Sequence, residues 1–177
     1  MTELLTLDLV KKNLVTSKMV LTIGYDIENL SNPEISKSYL GEITLDHYGR
    51  KVPKAAHGTI NIDHKTSSTK IITDYVMNLY ESIINKKLLV RRINITAEDV
   101  VNEDDYKNNK KFEQIDLFID YNEIEKQQKK EKLEKELQKA VLDIKTKYGK
   151  NAVLKGMNFI EGGTTIERNG QIGGHKS

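Results

Sequence analysis

The sequence contains neither cysteine nor tryptophan in its 177 residues. Without cysteine there is no disulfide framework, no thiolate nucleophile and no cysteine-based zinc site, which fits a reducing cytoplasm. The N-terminus lacks a basic segment followed by a long apolar run, and no stretch approaches the roughly 18 apolar residues of a membrane span. We therefore expect a cytoplasmic protein that is neither exported nor held in a membrane.

Residues that could support catalysis or bind a metal are sparse. The four histidines match no metal-ligand spacing, and no Ser/His/Asp arrangement stands out from the chance presence of common residues. The terminal GGHKS lacks the spacing of a phosphate-binding loop, and no helix follows its lysine. The sequence predicts no active site of its own, no metal and no cofactor.

Basic residues are clustered, although the net charge is only +2. Residues 47–62 and residues 82–97 each contain several basic residues and no acid. The basic residues are Arg50, Lys51 and Lys54 in the first patch and Lys86, Lys87, Arg91 and Arg92 in the second. Such patches can hold phosphate groups, although solvated surface has the same composition.

Apolar periodicity organises the chain around one strand and one helix. Residues 88–97 alternate with period two, so Ile93 and Ile95 lie on one face and Arg92 on the other. Residues 71–84 instead repeat apolar side chains at i, i+3 and i+4, which predicts a helix with one apolar stripe. We expect this helix to cover one face of a sheet whose other face is polar and basic.

The same patterns predict the rest of the first hundred residues. A first helix covers residues 3–15 with Thr2 as its N-cap, residues 26–38 form a loop, and residues 47–57 form a hairpin-like excursion. Further strands are predicted at residues 18–25, 40–46 and 58–63. Together these elements predict an α+β fold, with a small antiparallel sheet and two helices on one face.

If the four strands share one sheet, their outward side chains form a polar face almost free of acids. Its members are Lys18, Thr22, Thr44, Thr59, Asn61, Arg92, Asn94 and Thr96, with Glu42 as the one acid. Short polar side chains and a few cations suit contacts to a sugar-phosphate backbone rather than to bases. A solvated antiparallel face is polar as well, so the pattern leaves both interpretations open.

Hydroxyl groups precede the second helix in the segment HKTSST, residues 64–69. Ser67 and Ser68 lie where a side chain can cap the orphan backbone N–H groups of the helix. The same helix N-terminus is also a natural anion site. These two serines are predicted either as simple caps or as further phosphate contacts.

The second half of the chain is polar and highly charged. Residues 102–111 predict a linker, and the peptide QIDLF follows it, made of Gln114, Ile115, Asp116, Leu117 and Phe118. An exposed peptide of this kind can place its last two side chains in an apolar pocket of a partner while the glutamine bonds at the rim. The alternative is a short strand or helical turn packed on the domain. A long charged helix, ended by Gly149, and a Gly-rich tail complete the chain. We expect this tail to be flexible or to be ordered by a partner.

The sequence resembles a known protein family in five segments. They are DHYGRKVPKAAHGTINIDHKTSSTKIITDYVMNLYESIINKKLLVRRINITAEDV, VLTIGY, FEQIDLF, AVLDIKTKYGKNAVLKGMNF and GGTTIERNGQIGGHK. These segments resemble the C-terminal DNA-binding domain, the little finger, of Y-family translesion DNA polymerases. The nearest type is the UmuC-like (ImpB/MucB/SamB) proteins of Gram-positive bacteria and their plasmids. The resemblance is collinear and extends over almost the whole chain.

This resemblance implies a part in DNA repair and SOS-type damage tolerance. It implies a four-stranded sheet with two helices on one face, whose other face holds template-primer duplex through its backbone. It also implies that the peptide QIDLF, residues 114–118, binds a sliding clamp.

The catalytic parts of the family lie outside this sequence. Its palm, which holds the metal-binding carboxylates and the nucleotide site, would precede Met1, as would the fingers, the thumb and the first strand of the little finger. We therefore expect no polymerase activity from this chain by itself. We expect either a fragment or truncated gene product, or a chain whose catalytic half is a separate polymerase chain. A missing first strand would leave a sheet edge open to association with another chain.

The sequence thus predicts a chain of four parts. They are a little-finger-like DNA-binding domain at residues 1–101, a linker with the clamp-binding peptide at 102–121, a charged helix at 122–149 and a Gly-rich tail at 150–177. We expect a non-catalytic module that binds duplex or primer-template DNA and tethers to a bacterial sliding clamp. The alternative is a protein-interaction module that acts through the sheet edge and the C-terminal helix, without DNA binding.

Overall fold

The computed structural model describes residues 1–110, 121–172 and 175–176, in two compact units, Met1–Asp116 and Leu117–Ser177. The first unit contains α1 (Thr2–Lys11), β1 (Leu14–Tyr25), α2 (Glu28–Ser31), α3 (Pro33–Ser36), β2 (Ile43–Leu45), β3 (Lys51–Pro53), β4 (Ala56–Thr66), α4 (Thr69–Ile83), β5 (Val90–Glu98), β6 (Val101–Asn102) and α5 (Glu103–Lys110). The second unit contains α6 (Tyr121–Tyr148), a 3-10 helix (Gly156–Phe159), α7 (Thr165–Asn169) and the paired strands β7 (Gln171–Ile172) and β8 (His175–Lys176).

Strand β1 is the centre of the main sheet. It pairs antiparallel with β4 on one side and with β5 on the other, and its first residues pair with β6. Side chains alternate along β1, so Met19, Leu21 and Ile23 are buried in the core while Lys18 and Thr22 point to the other face. The predicted α+β fold with a small antiparallel sheet is confirmed.

Helices α1 and α4 cover the inner face of this sheet. Leu9 of α1 and Ile72 of α4 form a buried cluster with Met19 of β1. The hydroxyls of Thr6 and Thr69 also join the two helices through a buried hydrogen bond of 2.8 Å. The prediction of two helices on one face of the sheet is therefore confirmed.

Helix α4 lies very close to strand β4 at Gly58. A Cβ atom at this position would lie only 2.8 Å from Cδ1 of Leu79, so a side chain here would push the helix or its leucine away. The helix begins after Ser68, whose side chain accepts a hydrogen bond of 3.1 Å from the backbone N–H of Ile71. The predicted cap is thus present.

The strand predicted at residues 40–46 does not belong to the main sheet. Only Ile43–Leu45 forms a strand, β2, and it pairs with β3 in a separate hairpin. The prediction that four strands place Thr44 and Glu42 on one shared face was therefore wrong. Alternation along a segment identifies a strand, but it does not identify the partner with which the strand pairs.

Helix α1 also differs from its predicted bounds of residues 3–15. Thr2 is its first residue rather than its N-cap, and the carbonyl of Met1 accepts the N–H groups of Leu4 and Leu5. The helix ends at Lys11 because Asn13 adopts a φ of +54° and turns the chain into β1. Residues 14–15 are consequently part of the strand.

The predicted loop at residues 26–38 contains the short helices α2 and α3. Asn29 in α2 is fully buried, and its side-chain amide donates to the carbonyl oxygens of Asp26 and Leu89 at 2.8 and 2.9 Å. The amide oxygen accepts the N–H of Leu89 at 2.7 Å. Asn29 therefore links α2 to the backbone of Leu89, the residue that precedes β5.

Residues 103–110, predicted as part of a linker, form helix α5. Three acidic residues begin the helix, where they complement its dipole, and Lys107 lies 2.7 Å from the Glu103 carboxylate one turn away.

Helix α6 ends at Tyr148, as predicted, because Gly149 has a φ of +98° and donates its N–H to the carbonyl of Lys145. Among the described residues, no helix is long and apolar enough to cross a membrane.

Candidate nucleic-acid interface

The outward face of the main sheet carries polar side chains in regular rows. The antiparallel register places residues of β4, β1 and β5 side by side. The rows are Asn61, Lys18 and Glu98; Thr59, Val20 and Thr96; His57, Thr22 and Asn94; and, at the far end, Gly24 and Arg92. We call this set of residues the open face.

The open face brings together about half of the predicted DNA contacts. These residues are Lys18, Thr22, Thr59, Asn61, Arg92 and Asn94. Four of them, on β4 and β5, are exposed. Hydroxyl and amide groups of this kind can donate to phosphate oxygens without reading a base sequence. Their common position is observed, whereas their contact with DNA stays a prediction.

Positive charge on the open face is concentrated at one end. Nζ of Lys18 lies 3.3 Å from the carboxylate of Glu98, so these two charges offset each other. Arg92 is exposed, and in the part of the chain that the structure describes no acidic side chain pairs with it. The end of the face that carries Arg92 is therefore the end that attracts phosphate most strongly.

Two polar members of the open face were not predicted from the sequence. His57 lies one residue before the predicted start of its strand, and Glu98 one residue after the predicted end of its own. Extending the period-two pattern backwards from Asn61 through Thr59 would have found His57. Its Nδ1 lies 3.0 Å from Oγ1 of Thr22, its neighbour on β1.

Arg91 occupies a different environment from Arg92. The pairing of β1 with β5 shifts between Gly24 and Tyr25, and Arg91 lies at this irregularity. Its guanidinium donates to the Asp26 carboxylate at 3.0 Å. The backbone N–H of Glu28 and then the guanidinium of Arg91 lower the pKa of Asp26 below its ordinary value, because both favour the charged carboxylate.

The basic residues of the first patch lie on the β2–β3 hairpin rather than on the open face. Arg50 forms an ion pair of 2.7 Å with Asp46, and Lys54 forms one of 2.6 Å with Glu42. Lys51 is exposed and has no acidic partner within the described residues. Of these predicted contacts, Lys51 therefore offers the least compensated charge.

The serines before α4 lie inside the protein. Ser67 and Ser68 are only 6% and 4% exposed, and the hydroxyl of Ser68 caps the helix as described above. Such burial fits the capping interpretation, because a phosphate would have to displace surrounding side chains to reach them.

The five residues of the predicted clamp-binding peptide lie outside the described residues. They are Gln114, Ile115, Asp116, Leu117 and Phe118. Among the residues that the structure describes, no group of three His, Cys, Asp or Glu side chains is placed so that it could hold a metal ion.

The chain is similar to a bacterial UV-damage repair protein. It is 33% identical over 122 residues to "Putative UV-damage repair protein UvrX" of Bacillus subtilis (strain 168). The match covers 68% of this chain and 25% of that relative, so the chain spans about a quarter of the relative's length. No model of a known protein family matches the chain, and no solved structure matches it either.

Proposed function

We propose that the chain is a non-catalytic DNA-binding and clamp-tethering portion of a DNA-repair protein of the UmuC-like translesion polymerase type. The similarity to a protein named for UV-damage repair supports a role in DNA repair. The observation that carries the DNA-binding part is the open face, which combines rows of short polar side chains with the uncompensated charge of Arg92 at one end.

The physical argument concerns the kind of contact that this face can make. Thr, Asn and His side chains supply hydrogen-bond donors at the spacing of strands in a sheet, and Arg92 supplies charge at one end. Contacts of this kind bind sugar and phosphate, so they position a duplex without selecting its sequence. Affinity should then arise mainly from counterion release and fall with added salt.

Equilibrium binding to labelled duplexes of two unrelated sequences tests the DNA-binding proposal. We expect equal affinities for the two duplexes, and a loss of affinity in Arg92→Ala. Lys11→Ala is the matched control, since it removes one exposed positive charge from α1, a helix on the opposite side of the sheet. No binding to either duplex, or equal effects of both substitutions, would contradict the proposal.

The clamp-tethering part depends on the sequence of residues 114–118. It is tested by titrating the chain against a purified bacterial sliding clamp. Changing Leu117 and Phe118 together to Ala should abolish binding, because these side chains are the predicted apolar anchors. Changing Leu133 and Leu137 together to Ala should leave binding intact, since this control removes two apolar side chains from exposed positions on α6. Clamp binding that survives the first double change would exclude the peptide as the tether.

A further inference from the structure

The turn between β2 and β3, which we call the hairpin tip, is organised around one carboxylate. Asp46 accepts the backbone N–H groups of Tyr48 and Arg50, each at 2.9 Å, and its own N–H donates to the carbonyl of Arg50 at 2.9 Å. Gly49 adopts a φ of +74°, which a residue with a side chain rarely tolerates. These contacts hold the backbone of Tyr48 in one orientation.

The ring of Tyr48 is presented to solvent at this tip. It is 78% exposed, and the guanidinium carbon of Arg50 lies 5.0 Å from the ring centroid. The His47 ring meets it edge-on, at 5.4 Å between centroids and 72° between planes. Arg50 therefore covers one ring face, and the exposed surface leaves the other face open. An aromatic face with a cation behind it is a favourable stacking surface for a nucleobase.

The strands of the hairpin offer further groups that suit the sugar, base and phosphate of a nucleotide. Ile43 and Leu45 of β2 are 51% and 68% exposed and offer apolar surface to a sugar or base. Lys51, the cross-strand partner of Leu45, offers its ammonium group to a phosphate. This mixture of aromatic, aliphatic and cationic groups is typical of surfaces that bind single-stranded nucleic acid.

The hairpin tip lies at the end of the sheet where the open face is most positive. Strand β3 of the hairpin contacts helix α2 and strand β1. Because α2 directly follows the end of β1, the hairpin lies beside the strand ends that carry Gly24 and Arg92. A nucleic acid that leaves the open face at this end would meet the tip.

We infer that Tyr48 is a stacking platform for an unpaired base at the junction between duplex and single-stranded DNA. This inference rests on the proposed DNA-binding function and specifies the form of DNA that the chain prefers. The duplex lies on the open face, the first unpaired base stacks on the open side of Tyr48, and Lys51 contacts a phosphate of the single strand. A junction is therefore bound more tightly than a blunt duplex.

The absence of tryptophan makes this site directly observable. A Tyr48→Trp variant carries the protein's one indole fluorophore, and a stacked base quenches indole emission. We would titrate this variant with a blunt duplex and with the same duplex bearing a short single-stranded overhang. We expect quenching by the overhang DNA and little change with the blunt duplex.

Affinity measurements on the wild type and two further variants complete the test. Stacking of one base predicts roughly tenfold tighter binding of the overhang DNA by the wild type, and Tyr48→Ala should abolish that preference while leaving blunt-duplex binding unchanged. Tyr148→Ala is the matched control, because Tyr148 is 68% exposed and has Lys147 at 5.3 Å from its ring centroid.

The outcomes distinguish the Tyr48 platform from the proposed duplex binding. An overhang preference that survives Tyr48→Ala, or the absence of any preference in the wild type, would overturn the platform while leaving duplex binding standing. Failure of the wild type to bind either DNA would overturn the proposed function and the platform together. If the hairpin instead docks a protein, Tyr48→Ala will leave both DNA affinities unchanged, which also overturns the platform.

Discussion

Oγ1 of Thr22 lies 3.0 Å from Nδ1 of His57, and the two residues are register partners in the middle of the open face. When the threonine hydroxyl donates to Nδ1, the remaining ring proton is on Nε2, where it can be donated to a ligand. In that tautomer the pair fixes the direction of the imidazole ring and presents a donor between the Lys18 and Arg92 ends of the face.

The first prediction concerns His57. His57→Ala removes this donor and should weaken duplex binding several-fold, as expected for the loss of one hydrogen bond at a solvent-exposed site. Thr22→Val keeps the imidazole but removes the hydroxyl that orients it, so its effect should be smaller than that of His57→Ala. Fluorescence anisotropy with a labelled duplex at fixed salt measures both. Wild-type affinity in His57→Ala would exclude this residue from the interface.

The second prediction separates two adjacent arginines. Arg92→Ala should weaken duplex binding more than Arg91→Ala, because Arg92 has no acidic partner within the described residues while Arg91 is paired with Asp26. The same anisotropy assay measures the difference, and both variants remove one positive charge. If Arg91→Ala had the larger effect, the bound DNA would have to lie at the sheet end rather than on the open face.

Sequence patterns predicted which residues form strands better than they predicted which strands pair with each other. Period-two alternation correctly separated the buried Met19 and Leu21 from the outward Lys18 and Thr22. It could not show that β2 pairs with β3 in its own hairpin, because three alternating residues look the same in a hairpin and in a sheet. The candidate site changed accordingly: Thr44 left the shared face, whereas His57 and Glu98 joined it.

Another difference depends on a contact between residues distant in sequence. Asn29 lies in a segment rich in turn-forming residues, and only its pairing with the backbone of Leu89 makes it a buried anchor. Local composition carries no signal for this contact, since it depends on how the chain folds back on itself. The stacking of Arg50 on Tyr48 is local by comparison, since both residues lie in the turn that begins at Asp46.

The third prediction concerns the stability of the fold. Asn29→Ala leaves the N–H of Leu89 and two carbonyl oxygens without their buried partner, which should lower the free energy of unfolding by about 2 to 3 kcal/mol. Urea denaturation measures this change. Asn78→Ala on the exposed side of α4 is the control and should stay within about 0.5 kcal/mol of the wild type. Equal stability of the two variants would refute the role assigned to Asn29.

The fourth prediction concerns acid stability. The folded chain lowers the pKa of Asp26 below its ordinary value of 3.8, through the N–H of Glu28 and then Arg91. A lowered folded pKa means that the stabilisation is complete above the unfolded pKa and is lost as the pH falls through the folded pKa. The wild type should thus lose stability as the pH falls below about 3.8, and Asp26→Asn should lose less of it.

Thermal unfolding measured at several acidic pH values tests this prediction. Asp74→Asn is the control, because it makes the same change of charge at an exposed position on α4. The wild type and Asp74→Asn should show the same dependence on pH, and Asp26→Asn a shallower one. If the wild type, Asp26→Asn and Asp74→Asn all lost thermal stability in parallel as the pH falls, Asp26 would contribute nothing to acid stability.

The most direct test of the DNA-binding proposal is the salt dependence of duplex affinity in the wild type and in Arg92→Ala. Backbone binding predicts that the logarithm of the association constant falls linearly with the logarithm of salt concentration, by roughly 0.9 per phosphate neutralised. Loss of one phosphate contact in Arg92→Ala should flatten this slope by about 1, while Lys11→Ala should keep the wild-type slope. A wild-type affinity that is absent or independent of salt would contradict the account.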